Sequence, residues 1–179
     1  GGISLLYDVP IGKQRLRDMG LIKIFLIGLV WASVTVWLPA FHAGLPLGSA
    51  DVWLIWAQRL LFILAITLPF DIRDILIDKA LELSTIPRLI GVEASNRLSG
   101  WLLAGALGLE VVRVFTAHTA GLIYWQSVLG LMVAYTATIV VIRLRKPHFG
   151  DGYYLGWLDG MMILQFICLW LASHIPDPI

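Results

Sequence analysis

The sequence predicts an all-α protein, a polytopic bundle of transmembrane helices, from its composition, its apolar stretches and its charge distribution. Hydrophobic residues make up 59% of the 179 residues and charged residues only 14%, which is more apolar than an average soluble domain. Five apolar stretches are each long enough to cross a bilayer, which takes about 20 residues in a helix. Lys and Arg cluster in some connections between these stretches and are absent from others. We therefore expect a single transmembrane domain over residues 1–179.

The five predicted spans cover residues 21–40, 52–70, 98–116, 120–142 and 153–173. Pro39 and the turn-forming segment that follows it are expected to end the first span. Ser49 or Asp51 is expected to cap the second. A loop with two short helices is predicted over 71–97, and Thr85 before Pro87 is a favourable start for the second of them. Small residues predict close packing of the fifth span against another helix; they are Gly152, Gly156 and Gly160.

The basic residues predict the orientation in the membrane. Eleven of the thirteen Lys and Arg lie in three segments, at positions 13–23, 73–97 and 143–146. By the positive-inside rule the N-terminus and the 71–97 loop are cytoplasmic and the C-terminus is outside. We expect an integral protein of a bacterial-type inner (cytoplasmic) membrane, without a nucleic-acid partner. Because the chain begins with Gly1 and not with Met, it is expected to be part of a longer protein.

Three acids in the 71–97 loop form the most informative motif. Asp71, Asp74 and Asp78 are spaced by three and then four residues, so on one helix they lie within an arc of roughly 60°. Ionised carboxylates on the same face of one helix lie close enough to repel one another unless a cation lies among them. Mg²⁺ suits this motif because it takes hard oxygen ligands and keeps several waters. The set is about 10 Å long, so a pair of carboxylates with water-mediated help from the third is the expected arrangement.

These residues also resemble a known family. Asp71-x-x-Asp74-x-x-x-Asp78, followed by Thr85-x-Pro87 and Gly91, resembles the second aspartate-rich motif of the UbiA-type intramembrane prenyltransferases. The sequence departs from that pattern in three places: Leu76-Ile77 replaces a more polar pair, Lys79 stands where Arg is common, and Glu82 where Gly is frequent.

The resemblance implies that a polyprenyl diphosphate is bound through Mg²⁺ and that its prenyl group passes to an aromatic or lipid-precursor acceptor. It implies catalytic and metal-binding roles for Asp71, Asp74 and Asp78. It also implies that Lys13, Arg15 and Lys79 contact the diphosphate, although positive-inside topology is an alternative reason for Lys13 and Arg15. The family fold has nine spans and a second acidic loop that this chain lacks. We therefore expect the residues to need a missing N-terminal half or a partner membrane subunit for catalysis.

Further polar residues lie inside the predicted spans. An arginine there is costly, so Arg59 is expected to have a partner, with Glu110 the candidate and Arg113 one helical turn beyond it. Asp159 lies near the start of the last span, and we expect its side chain to face a cavity above the aspartate loop. Two other functions stay open from the sequence. One is a non-catalytic membrane subunit or scaffold, and the other is a transporter with Arg59, Glu110 and Asp159 along a polar pathway.

Overall fold

The computed structural model describes residues 10–11, 14–15, 20–119, 125–144 and 150–175, and helices dominate them. A two-residue antiparallel pair, β1 and β2, precedes the helices, and a π-helical segment joins α7 to α8. The elements are β1 (Pro10–Ile11), β2 (Gln14–Arg15), α1 (Gly20–His42), α2 (Ala50–Arg73), α3 (Ile75–Ala80), α4 (Ile86–Ile90), α5 (Val92–Thr119), α6 (Trp125–Leu144), α7 (Asp151–Tyr153), the π segment (Tyr154–Leu158) and α8 (Gly160–Ala172).

Helix α2 is the centre of the bundle. It packs along α5 on one side and α1 on the other, and α6 packs along both α5 and α8. Its middle supplies Phe62, Ile63, Ala65 and Ile66 to the main core, where they meet residues of α5, α6 and α8. Phe62 stacks on Tyr135 of α6 with ring centroids 5.5 Å apart. Half of the apolar stretch of α2 is buried inside the structure, a larger share than in α1, α5 or α6.

The long helices run alternately up and down. We call the end where α2 meets α3 the aspartate end, and the opposite end the far end. At the far end Trp37, Trp53 and Trp56 form a ring cluster with centroids 5.4 to 5.7 Å apart. Indole rings of this kind favour the level of the lipid headgroups.

Within the described residues, four helices are long and apolar enough to span a membrane: Leu21–His42, Ala50–Arg73, Val92–Thr116 and Trp125–Leu144. They indicate an integral membrane protein built as a helical bundle. The fifth predicted span corresponds to α7, the π segment and α8, whose apolar helical part, Gly156–Ala172, is shorter. The two short helices predicted for the 71–97 loop are α3 and α4, and α4 begins directly after Thr85.

The ends of α1 and α2 differ from the expectation in one respect. Ser49 caps α2 as predicted, because its hydroxyl oxygen accepts a hydrogen bond from the Val52 amide at 3.3 Å. Pro39 does not end α1, which continues to His42. The helix is capped at the start of the predicted turn-forming segment by Gly44, whose φ of +69° lets the Leu45 amide donate to the Ala40 carbonyl at 2.9 Å. This is the left-handed cap that glycine favours.

Close helix packing occurs at glycines other than the predicted stripe. A methyl group added to Gly152, Gly156 or Gly160 would meet no atom within 4 Å among the described residues, so no described helix packs against the stripe. At Gly130 of α6, by contrast, an added Cβ would lie 2.8 Å from the Cys168 carbonyl oxygen of α8. Gly28 of α1 similarly allows close approach to Leu60 and Leu64 of α2. The prediction of close packing is thus wrong for the stripe within the described part of the chain.

Candidate functional site

A cleft of about 250 Å³ opens at the aspartate end, between α1, α2 and the residue that precedes α8. We call it the aspartate cleft. Its floor is apolar and includes Ile24, Ile27 and Phe70. Its charged lining residues are three acids and two bases: Asp71, Asp74, Asp159, Lys23 and Arg73. Five charges around so small a volume suit a polar ligand that carries both a negative group and a bound cation.

The three aspartates of the motif have different surroundings. Asp71, on the last turn of α2, is partly buried, and its Oδ2 atom is fully enclosed without a hydrogen-bond partner among the described residues. Asp74 lies in the turn between α2 and α3 and accepts two hydrogen bonds from Arg73, at 2.7 and 3.0 Å. Asp78, on α3, is 8% exposed and does not line the cleft. Two of the three predicted residues therefore meet at this site.

Arg73 is held in place by aromatic side chains. Its guanidinium carbon lies 5.5 Å from the centre of the Phe70 ring and 5.0 Å from that of Tyr154 in the π segment. Cation–π attraction of this kind contributes about 0.5–1 kcal/mol at an exposed site. It orients the guanidinium so that both its Nε and Nη2 reach the Asp74 carboxylate.

Asp159 reaches the cleft through an irregular turn. The Asp159 amide donates to the Tyr154 carbonyl at 3.2 Å, a bond that spans five residues and closes the π segment. Single π turns inside α-helices occur frequently at functional sites. Asp159, which the sequence predicts as a cavity residue, lines the aspartate cleft together with Asp71 and Asp74.

The described residues do not form a metal site made only of protein side chains. Among the described residues no group of three or more Asp, Glu, His or Cys side chains lies close enough to hold a metal ion. The donor chemistry nonetheless fits Mg²⁺, since that ion commonly uses one or two carboxylates and takes its other ligands from water and phosphate. The orphaned Oδ2 of Asp71 is one such oxygen, and Asp74 and Asp159 line the same cleft.

Of the three basic residues predicted to contact the diphosphate, only the side chain of Lys79 lies within the described structure. Lys13 and the side chain of Arg15 lie outside the described residues. Lys79 is exposed on α3 and does not line the cleft. The lysine that lines the cleft is Lys23, for which the sequence indicates only a cytoplasmic position. The sequence feature that could have indicated this role is the position of Lys23, a single cation two residues inside a predicted apolar span.

Arg59 and Glu110 do not pair with each other, so that prediction is wrong. Arg59 donates to Gln165 of α8, and Gln165 in turn donates to the Tyr135 hydroxyl at 3.1 Å. Gln58 and Arg59 are consecutive in α2 and point about 100° apart, so Gln58 faces α5 while Arg59 faces α8. Gln58 donates to Glu110 Oε2 at 3.3 Å.

Glu110 belongs to a separate buried network at the far end. Arg113 donates to it through Nε at 2.9 Å and through Nη2 at 2.5 Å, and the Ser127 hydroxyl also donates to it. Arg113 further reaches Asp51 at 3.3 Å. These bonds join α2, α5 and α6. Glu110 lies toward the far end, Arg59 donates to Gln165, and Asp159 lines the aspartate cleft, so the three side chains share no hydrogen bond or ion pair within the described structure.

Comparisons of the chain with protein-family models, with curated proteins and with solved structures returned no match.

Proposed function

We propose that this chain is a Mg²⁺-dependent membrane prenyltransferase of UbiA type, which transfers a polyprenyl group from its diphosphate to an aromatic or lipid-precursor acceptor. In this proposal the chain forms five spans of the nine-span fold, with its N-terminus and the 71–97 loop cytoplasmic and its C-terminus outside a bacterial-type inner membrane. Further spans, from the same polypeptide or a partner membrane subunit, complete the site. The aspartate cleft carries the proposal, because acids, bases and an unpartnered carboxylate oxygen meet there at the mouth of an apolar bundle.

Each charged residue of the cleft has a role in this mechanism. Asp71 and Asp74 would hold Mg²⁺ together with water and phosphate oxygens, and Asp159 would act through water. The ion would neutralise the diphosphate and stabilise the charge on the departing pyrophosphate. Lys23 would contact phosphate oxygens directly, and Arg73 keeps the Asp74 carboxylate oriented until the ligand competes for it. Asp78 would act through water from α3, as the motif predicts. The apolar floor keeps water from the reactive prenyl cation.

One departure from the family motif has a local structural explanation. Glu82 has a φ of +56°, and the Leu83 amide turns back onto the Asp78 carbonyl at 2.9 Å. This is the left-handed position at a helix end that glycine favours. Glu82 in place of the family's glycine therefore introduces backbone strain, but it removes no side chain that would contact the ligand.

A non-catalytic membrane subunit is the second candidate, and a specific observation favours it. Asp74 is already bonded twice to Arg73, and Asp78 lies outside the cleft lining. A protein that kept the fold and lost the chemistry would retain such internally satisfied acids. The two candidates differ in whether the cleft binds Mg²⁺ together with a prenyl diphosphate.

Thermal unfolding in detergent tests the proposal. Geranyl diphosphate with Mg²⁺ is expected to raise the unfolding temperature, since a ligand at 100 times its Kd stabilises the folded state by about 2.7 kcal/mol. Mg²⁺ alone and geranyl diphosphate with EDTA serve as the two partial mixtures, and neither is expected to give the full shift. In the Asp71→Asn variant the shift should disappear.

The matched control is Glu93→Gln, which removes an exposed acid near the same end of the bundle but outside the cleft. It is expected to keep the full shift. If the unmodified chain shows no shift with both components present, the enzymatic proposal is wrong and the non-catalytic subunit is favoured. An equal shift in Asp71→Asn would mean that the ligand binds elsewhere.

A further inference from the structure

A second charged recess lies at the aspartate end, on the other side of α5. It is a groove of about 360 Å³ between the start of α5 and the end of α6, and we call it the arginine groove. Asn96, Arg97 and Arg143 form its polar mouth, while Gly100, Ala104 and Ile139 are among the residues of its apolar wall. The groove shares no lining residue with the aspartate cleft.

The two arginines in the mouth lack an anionic partner among the residues that the structure describes. Both are exposed, and neither forms an ion pair or a hydrogen bond with another described residue. Glu93 precedes Arg97 by one helical turn on α5, yet no ion pair joins them. Placement at this end of the bundle accounts for positive charge in general. It does not account for two guanidiniums that line one groove with an apolar wall.

The apolar wall identifies the kind of anion. Gly100 has open space where a side chain would be, and Ala104 lies one helical turn deeper on the same face. Together they leave a channel along α5 that an acyl chain can fill. Trp101, which is 74% exposed, lines the same groove, at a level suited to the membrane interface. A free phosphate would satisfy the arginines and leave this channel empty.

We propose that the arginine groove binds an anionic phospholipid, with its phosphate between Arg97 and Arg143 and one acyl chain along Gly100 and Ala104. Basic recesses between transmembrane helices on the cytoplasmic side are known to accept such headgroups. Phosphatidylglycerol supplies the single negative charge and the acyl chains that the groove requires. The lipid bridges α5 and α6 at this end, where the described side chains of Arg97 and Arg143 make no bond between the two helices.

Native mass spectrometry of the detergent-purified chain tests this proposal, with dioleoyl phosphatidylglycerol, dioleoyl phosphatidylcholine and glycerol phosphate as probes. We expect one phosphatidylglycerol to be retained preferentially and neither of the other probes to compete with it. The Arg97→Gln/Arg143→Gln double variant should bind about 30-fold more weakly. Lys79→Gln, which removes an exposed cation at the same end but outside the groove, should bind as the unmodified chain does.

A second variant separates the groove from a simple charge effect. Gly100→Leu keeps both arginines and fills the channel, and the open space at Gly100 lets the protein fold with the larger side chain. It should lose phosphatidylglycerol to a similar extent, with an unchanged helical circular dichroism spectrum. Equal retention of the two phospholipids, full binding by the double arginine variant, or full binding by Gly100→Leu would each overturn the proposal.

Discussion

Replacing Glu110 by alanine is expected to destabilise the protein, because it removes the main partner of the buried Arg113 guanidinium. Glu110 is 3% exposed and accepts from Arg113, Gln58 and Ser127. Breaking a buried ion pair by removing one partner costs about 3–5 kcal/mol, because the other charge stays buried without compensation. Arg113 would retain Asp51, which is half exposed, so the lower end of that range applies. For a chain of this size, about 3 kcal/mol corresponds to a fall of roughly 6–12 °C in unfolding temperature.

Thermal unfolding of purified variants in one detergent measures this effect. Glu93→Ala, an exposed acid on the same helix, is the control and should stay within about 0.5 kcal/mol of the unmodified chain. The Glu110→Leu/Arg113→Met double variant removes both charges and should recover at least half of the loss, since only Gln58 and Ser127 then lack their acceptor. A Glu110→Ala variant as stable as Glu93→Ala, or a double variant less stable than either single one, would refute this account of the network.

Further predictions concern packing, strain, the Arg59 contact and orientation. Gly130→Ala should destabilise by about 1–3 kcal/mol in thermal unfolding because its Cβ would meet the Cys168 carbonyl, whereas Gly108→Ala, with open space around it, should not. Glu82→Gly should stabilise by roughly 1 kcal/mol because it relieves a left-handed residue, and Leu81→Gly, at a φ of −92°, should give no such gain. Gln165→Leu should destabilise by about 3 kcal/mol by leaving Arg59 without its acceptor, and the additional change Arg59→Met should restore most of that loss. In a Cys168→Ser background, Ser84→Cys should react with an impermeant maleimide only from the cytoplasmic side and Ser173→Cys only from outside; the reverse pattern would contradict the proposed orientation.

The helices of the bundle were predictable from sequence because their physical cause is local. A stretch such as residues 52–70 is apolar enough that only an internally hydrogen-bonded helix satisfies its backbone in lipid. Hydroxyl and proline signals likewise indicated where α2 and α4 begin, at Ser49 and Thr85. Even so, the Thr85 hydroxyl makes no capping bond and stays unpartnered in the described structure, so its position marks the helix start without that bond.

Side-chain pairs across helices were harder to predict, because they depend on how each helix is rotated about its axis. A helix that is apolar on every face gives no periodic signal for the inward side. The sequence therefore predicts an Arg59–Glu110 pair, whereas a rotation of one residue position places Gln58 against Glu110 and Arg59 against Gln165. For the same reason the sequence indicates only a topological role for Lys23, although the packing of α1 against α2 brings it to the cleft that Asp71 and Asp74 line.

The motif itself was only partly predictable, since three acids at helical spacing were assumed to share one continuous helix. The chain instead breaks at Asp74, where α2 ends and α3 begins. Asp71 and Asp74 line the cleft. Asp78 lies on α3, outside the cleft lining, where its backbone carbonyl contacts Arg88. Arg88 donates to the backbone carbonyl of Asp78 at 3.1 Å, which fixes the turn after α3.

The wide turn before α8 has a geometric consequence for Asp159. One additional residue in a helical turn advances every later side chain by about 100° relative to those before it. Tyr154 is buried against Arg73 while Asp159, five positions later, lines the neighbouring cleft. Deleting a single residue between them would swing the carboxylate away from Lys23 and Asp71 while leaving the apolar length of the helix almost unchanged. The spacing between these two residues therefore matters to the cleft as much as their identities do.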